Sequence, residues 1–394
     1  MLSNRQLFSR YLAQTSAFPM SLEIEKARGV YMYDVSGKKY LDLISGISVS
    51  SLGHLHPKVV RAIKTQLDDY MHLMVYGEFI EVPQVKLAQL IAGNLPGGLD
   101  NVFLVNSGSE AVEGALKLAK RFTGRAEIVH FSNSYHGSSH GALSIAGNEF
   151  FKNAFRPLLP AIRKITYNDE TQLQQITGST ACVIVEPVQG EAGIRVPDVK
   201  YMKALRQKCN ETGALLIMDE IQTGFGRTGK LFAFEHYGIV PDILLLAKAM
   251  GGGMPLGAFI ASKRLMEVLK ENPVLGHIST FGGHPISCVA SFTTLQTLLE
   301  EKLIEGVPEK HQLFMKHLDN DNFIEVRSKG LMLAIELESF ARVQQAIKKL
   351  LDNGIVTDWF LFCNKAIRIA PPLIITHQEI KMACDNINEV LKST

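Results

Sequence analysis

Val102-Phe103-Leu104-Val105, then Asn106-Ser107-Gly108-Ser109-Glu110, then Ala111-Val112-Glu113-Gly114-Ala115-Leu116-Lys117-Leu118-Ala119: this stretch decides the fold. Four consecutive apolar residues closed by polar ones predict a buried strand. Ala111, Val112, Ala115, Leu116, Leu118 and Ala119 then line one face of a helix. The same succession recurs downstream at Ile128–Phe131, Ala181–Val185, Ala214–Met218 and Ile243–Ala247. Fully apolar strands alternating with helices predict an α/β fold around a mostly parallel sheet. Ligands of such sheets bind beyond the carboxyl ends of the strands. Those ends read Asn106–Glu110, Ser134-Tyr135-His136-Gly137, Glu186-Pro187-Val188-Gln189-Gly190-Glu191, Asp219-Glu220-Ile221-Gln222 and Lys248-Ala249-Met250-Gly251. Most side chains suited to chemistry therefore converge on one edge.

Outward from this centre the pattern changes. Val30–Val35, Ser36-Gly37 and Lys38–Leu43 predict a hairpin with a tight turn. Phe323–Val326 and Leu331–Leu337, bent at Lys329-Gly330, are followed by a helix from Phe340 to Asn353 that Gly354 terminates. A strand at Ala366–Ala370 precedes a capping box, Thr376 with Glu379, that opens the last helix. The chain of 394 residues exceeds one small module at about 150 residues per domain. The expected division is a large α/β domain, residues 51–290, and a smaller α+β domain built from residues 1–50 and 291–394.

Composition narrows the function. Lys plus Arg exceed Asp plus Glu by 41 − 39 = 2, so no general attraction to nucleic acid or anionic membrane is built in. Five scattered cysteines without C-x-x-C argue against a disulfide scaffold or zinc ribbon and fit a reducing compartment. No apolar run approaches the ~18 residues that span a bilayer. A soluble, cytoplasmic globular protein is expected. Residues 1–22 carry Arg5 and Arg10 and no acid, a composition shared by transit peptides and by structural N-terminal arms; the arm is the favoured reading.

Each local motif also has a bland reading. Ser107-Gly108-Ser109-Glu110 is a helix cap that doubles as an anion site, because the first N–H groups and the dipole point outward. Gly224-Phe225-Gly226-Arg227-Thr228-Gly229 matches G-x-G-x-x-G, but five residues separate it from its strand, so a dinucleotide fingerprint is not expected. His54 with His56 and His136 with His140 lack a third ligand at metal spacing and read as loop or cap residues, with no metal site. Lys248 ends an apolar run before Gly251-Gly252-Gly253. It is either a lysine snorkelling from a strand end or an amine kept neutral and nucleophilic by its surroundings. Asp219, ending another such run, requires a partner, since a lone buried carboxylate is costly.

As a set, these residues resemble the class III (ω-) aminotransferases of the fold type I pyridoxal-phosphate enzymes, nearest the acetylornithine/ornithine branch. The resemblance runs from about Leu7 to the C-terminus. It includes Gly29-Val30-Tyr31…Asp34…Gly37…Tyr40-Leu41-Asp42, Gly53-His54-x-His56-Pro57, Asn106-Ser107-Gly108-Ser109-Glu110-Ala111 and Glu186-Pro187-x-Gln189-Gly190-Glu191. It continues through Asp219-Glu220-x-Gln222-Thr223-Gly224-x-Gly226-Arg227-Thr228-Gly229, Lys248-x3-Gly252-Gly253 and Ser279-Thr280-Phe281-Gly282-Gly283.

The resemblance implies roles. Lys248 is similar to the lysine that holds pyridoxal 5′-phosphate as a Schiff base and shuttles the α-proton. Asp219 resembles the partner of the pyridine nitrogen, which makes the ring an electron sink. Ser107, Gly108 and Ser109 resemble the phosphate cradle, Tyr135 the aromatic stacked on the ring, and Ile221 and Gln222 the groups beside it. Thr280 matches a phosphate contact supplied by a neighbouring subunit, which implies a homodimer with shared sites. Glu191 and Arg368 resemble a gate: the arginine binds a substrate α-carboxylate, and the glutamate covers it otherwise. Ser138 and Ser279 complete the implied substrate-binding set.

One position departs from the branch. Its aromatic-x-Gly element is followed by an arginine that holds a substrate carboxylate, whereas Tyr135-His136-Gly137 is followed by Ser138. A hydroxyl cannot reproduce a bidentate guanidinium contact, which leaves Arg163, Arg195 or a partner-subunit residue as substitute anchors. The expected activity is ping-pong transfer of an amino group from an ω-amine or ornithine-like donor to a 2-oxo acid. The alternatives are another reaction of the same cofactor, such as an aminomutase or epimerase, and a catalytically silent binding relative.

Overall fold

The computed structural model describes residues 2–17, 19–318 and 321–394. Strands β1 (Ile24–Arg28), β2 (Tyr31–Asp34) and β3 (Lys39–Asp42) form an antiparallel meander, turned at Gly37 with φ 84°. The next seven strands build the central sheet: β4 (Asn101–Val105), β5 (Glu127–Phe131), β6 (Ile162–Ile165), β7 (Thr180–Val185), β8 (Leu215–Asp219), β9 (Ile243–Leu246) and β10 (Gly257–Ala261). Their order is β4-β10-β9-β8-β7-β5-β6. The last strands are β11 (Glu325–Lys329), β12 (Met332–Glu336), β13 (Ile355–Val356), β14 (Asp358–Phe360) and β15 (Cys363–Ile369). Of these, β13 runs parallel to β3, while the others form an antiparallel sheet ordered β11-β12-β15-β14.

All five apolar runs are strands of the central sheet, and all point the same way. Two strands escape the pattern. β6 reads Ile-Arg-Lys-Ile on an edge, where outward charges protect a half-exposed strand. β10 runs antiparallel to both β4 and β9, reached by a tight glycine-rich turn instead of a helical crossover. The sheet buries both faces. Along β7 and β8, Val183, Val185, Leu216 and Met218 enter one core, and Cys182, Ile184, Leu215 and Ile217 enter the other. This two-sided burial is why the runs lack polar alternation.

The helix Gly108–Thr123 covers the second core with Ala111, Val112, Ala115, Leu116, Leu118 and Ala119. Ser107 caps its start, and Gly124, at φ 67°, ends it. The expected Ser107–Glu110 box is only half formed. Ser107 Oγ accepts from Glu110 N–H, but the Glu110 carboxylate takes the backbone and side-chain N–H groups of Asn106 instead. The Thr376–Glu379 box is complete. β11 begins two residues later than expected and absorbs Lys329, leaving Gly330 at φ 57° to make the bend. The helix Pro285–Glu300 runs across residue 290 and packs on the helices Pro57–Asp69 and Val82–Gly93. No helix among the described residues is long and apolar enough to cross a membrane.

Candidate active site

A cavity of about 450 Å³ opens at the carboxyl edge of the central sheet, within the usual size range for a cofactor pocket. Its walls include Ser107, Gly108, Ser109, Tyr135, Asp219, Ile221, Gln222 and Lys248. Eight positions spread over 142 residues meet there because successive parallel strands deliver their ends to one edge.

Lys248 starts the short 3-10 turn that reverses the chain from β9 to β10. Its φ of 49° is left-handed, a strained conformation for a side chain with a Cβ. Gly252, at φ 60°, completes the reversal; a Cβ there would meet Thr294 Oγ1 at 2.3 Å. Burial holds the Lys248 amine below its ordinary range, against the opposing charges of Glu191, Asp219 and Glu186. A lowered amine is what nucleophilic and proton-shuttling chemistry requires.

Asp219 ends β8 and is 4% exposed. Its Oδ1 accepts the Ile221 N–H at 3.0 Å, and His136 Nδ1 lies 2.6 Å from Oδ2. The second ring nitrogen of His136 is buried without a partner. His136 thus belongs to the site, not to a loop cap. Its sequence neighbours gave no signal, because the partner is 83 residues away. Glu186 also lines the cavity and takes the N–H groups of Tyr135 at 2.9 Å and Gly190 at 3.0 Å. Burial raises its carboxyl to about 7.

The cradle at the helix start is cut to fit. A Cβ on Gly108 would strike Ile221 at 2.8 Å, and one on Gly137 would strike Ser109 Oγ at 2.0 Å. The first-turn N–H groups of Gly108 and Ser109 have no intrahelical acceptor and face an anion site. A helix start with free N–H groups, a buried carboxylate and a depressed lysine amine on one cavity suit pyridoxal phosphate.

Glu191 and Arg368 lie beyond the cavity wall, joined to it where Gln222 Nε2 reaches Glu191 Oε1 at 3.4 Å. They form a two-bonded pair, 2.8 and 2.7 Å, with exposures of only 4% and 3%. Burial is the largest influence on Glu191 and acts upward. Arg368's charge and hydrogen bonds outweigh it, and the carboxyl settles at about 2. Asp358 lies on the other side of the same guanidinium, Oδ1 to Nε 3.0 Å, and burial dominates there, raising it to about 6.

Two expected residues stand apart from the cavity. Ser138 is exposed on the rim, its Oγ 3.2 Å from the Tyr135 hydroxyl. Ser279 accepts from Asn106 Nδ2 at 2.8 Å and does not itself line the cavity. Thr280 is exposed and does not line the cavity of its own chain, as a contact made to a neighbouring subunit requires. Neither substitute arginine of this chain lines the cavity. Arg163 is paired with Glu127, at the start of β5 and so at the opposite sheet edge, and half-exposed Arg195 is 3.8 Å from Glu336. Arg227, within the glycine motif, is fully buried and donates to the carbonyls of Leu331 and Pro371, tying loops together. His54 is tied to Asp42, and no metal-ligating cluster occurs among the described residues.

The chain is similar to known proteins along nearly its whole length. The chain is 40% identical to an acetylornithine aminotransferase of Methanopyrus kandleri over 99% of each protein. It is 38% identical to a [LysW]-aminoadipate semialdehyde/glutamate semialdehyde transaminase of Sulfurisphaera tokodaii over 92% of each. The ornithine aminotransferase of Toxoplasma gondii, whose active site holds the cofactor PLP at partial occupancy, superposes with a TM-score of 0.92 at 32% identity, covering 98% of this chain and 93% of that one. The profile of the family described as "Aminotransferase class-III" matches residues 12–391. With the fold and nearly the whole chain in agreement, the protein belongs to the class III aminotransferases.

Proposed function

We propose that the chain moves an amino group from an ornithine-like or other ω-amino donor to a 2-oxo acid, in two half-reactions at one site. The observation that carries this reading is the meeting of Lys248, Asp219 and the Gly108–Ser109 helix start on one cavity. Ser107, Gly108 and Ser109 would hold the phosphate of pyridoxal 5′-phosphate, Tyr135, Ile221 and Gln222 would line its ring, and Asp219 would pair with the ring nitrogen. When bound, the ring draws electrons from the carbon that exchanges nitrogen. Lys248 takes and returns the proton at that carbon, its amine kept available by burial. Donor alone, without acceptor, is expected to yield one equivalent of carbonyl product per site. Continuous product formation without acceptor would overturn the transfer, and no product with ornithine or N-acetylornithine would overturn the donor class.

The Glu191–Arg368 pair supports a gate. A site that takes an ω-amine and a 2-oxo acid in turn must hide and then expose one cation. Glu191→Ala is expected to speed the half-reaction with L-glutamate relative to an ω-amine by the equivalent of about 1.5–3 kcal/mol, the worth of a competing charge-assisted bond. Single-turnover kinetics with both donors check this; equal changes for both would leave a fixed structural ion pair.

Ser138 supports a relaxed acceptor preference. Lacking the branch's arginine, a dicarboxylate loses an anchor worth about 1.5–3 kcal/mol, so pyruvate is expected to compete with 2-oxoglutarate. Ser138→Arg is expected to restore the dicarboxylate preference, read as the ratio of kcat/KM values; a strong native preference for 2-oxoglutarate would refute the idea.

A homodimer with shared sites is the proposed assembly. Its support is exposed apolar surface around Thr280: Leu73, Phe79, Ile80, Val274, Ile278 and Phe281, with Ile80 92% exposed. The division into residues 51–290 and residues 1–50 with 291–394 draws support from β13, which joins the C-terminal part to β3. Cytoplasmic residence fits five cysteines that are all free, four of them buried.

A further inference from the structure

The run Asp358–Phe362 surrounds the gate residue by residue. Asp358 Oδ1 lies 3.0 Å from Arg368 Nε. The Trp359 carbonyl accepts from Arg368 Nη2 at 3.1 Å. The Phe360 ring lies under the guanidinium, 4.5 Å from its centroid. The next two residues turn to the other half of the pair: Leu361 N–H donates to Glu191 Oε2 at 3.1 Å, and Phe362 N–H to the Glu191 carbonyl at 3.0 Å. A register shift between Trp359 and Phe360 makes this possible, since it breaks the two-residue alternation that would send neighbouring side chains to opposite faces.

The contacts divide by what survives gate opening. If Glu191 swings away, Arg368 loses both bonds to it and Leu361 loses its acceptor, but the Asp358, Trp359 and Phe360 contacts stay. Asp358 and Arg368 are incompletely joined in the closed pair. The Nε–H is not aimed at the carboxylate, and neither Nε nor Oδ1 has a hydrogen bond to any other group, although both are buried. A small rotation of the guanidinium converts this ion contact into a charge-assisted hydrogen bond. We propose that Asp358 is a positioning residue that captures Arg368 Nε as Glu191 leaves, holding the guanidinium in place while its outer edge passes to a substrate carboxylate.

This rests on Arg368 being the carboxylate site, so the test separates the two. Propionate, a carboxylate that cannot react, is titrated into holoenzyme by calorimetry. Arg368→Ala is expected to abolish its binding; unchanged affinity there would refute the gate itself. Asp358→Ala is expected to weaken propionate about tenfold to a hundredfold, the scale of one charge-assisted hydrogen bond. Asp358→Asn, which keeps an acceptor oxygen in place, is expected to recover most of that loss. The ratio of half-reaction rates, L-glutamate over a carboxylate-free amine, is expected to fall in parallel in Asp358→Ala. Unchanged or tighter propionate binding in Asp358→Ala overturns the proposal, as does an Asn variant no better than Ala or an equal loss for both amine classes.

Discussion

Lys248→Ala is expected to abolish turnover, by 10⁴-fold or more on the order of the upper range for a positioned acid–base group, and to end covalent retention of the cofactor. The expectation rests on position. Lys248 is placed by the reversal between β9 and β10: β9 stops at Leu246, a left-handed Lys248 turns the chain, and Gly252 and Gly253, both at positive φ, return it as β10. Holding a non-glycine residue in that conformation costs about 1–3 kcal/mol, which the surrounding packing must offset. The cost brings the amine to the cavity, where burial lowers its proton affinity. The other deeply placed lysine near this edge, Lys152, is tied to Glu149 at 3.0 Å. Borohydride reduction of holoenzyme, digestion and peptide mapping check the assignment, and label on any other lysine would sink it. A small alkylamine added to the Ala variant is expected to restore part of the proton transfer, since the missing base is replaced without its tether.

What the sequence disclosed follows the range of the forces involved. The apolar runs were legible because two-sided burial leaves each strand four or more unbroken hydrophobic residues, a signal confined to the strand itself. Lys248 and Asp219 were legible for the same reason, as polar residues ending such runs. β10 was hidden because Gly257-Ala258-Phe259-Ile260-Ala261 follows a glycine turn instead of a helix, and its direction depends on β4, more than 150 residues earlier. The Glu110 carboxylate turned to Asn106, one residue from the expected box, because Asn106 offers two donors. His136 was legible only as part of a strand end, without its pairing, and Asp358 could not be read at all. Each owes its place to one partner brought up by tertiary structure: Asp219 across the intervening strand β7, and Arg368 across a bulged hairpin.

Asp219→Ala is expected to be the second most damaging change, and its neighbours say why. Asp219 is nearly sealed from water, with Oδ1 on the Ile221 N–H and Oδ2 on His136 Nδ1. Two donors already in place fix the carboxylate's rotation, so its remaining lone pairs have a defined direction into the cavity. Removal leaves both donors without an acceptor and, in holoenzyme, leaves the pyridine nitrogen without its anion. Breaking a buried charge pair costs about 3–5 kcal/mol, which converts to roughly two hundred- to five thousandfold in rate. Asp219→Asn separates the parts. It keeps an acceptor for Ile221 N–H but not the charge, so the loss of rate is expected to remain while the melting temperature of the cofactor-free protein recovers. His136→Phe tests the third member. It leaves the charge and loses one orienting bond, for an expected loss of about tenfold to a hundredfold. Single-turnover rates with L-glutamate, set beside melting curves without cofactor, distinguish the roles. An Asn variant within tenfold of the native rate would remove the ring-nitrogen assignment. A His136→Phe loss equal to that of Asp219→Ala would mean that orientation, not charge, is what the buried carboxylate contributes.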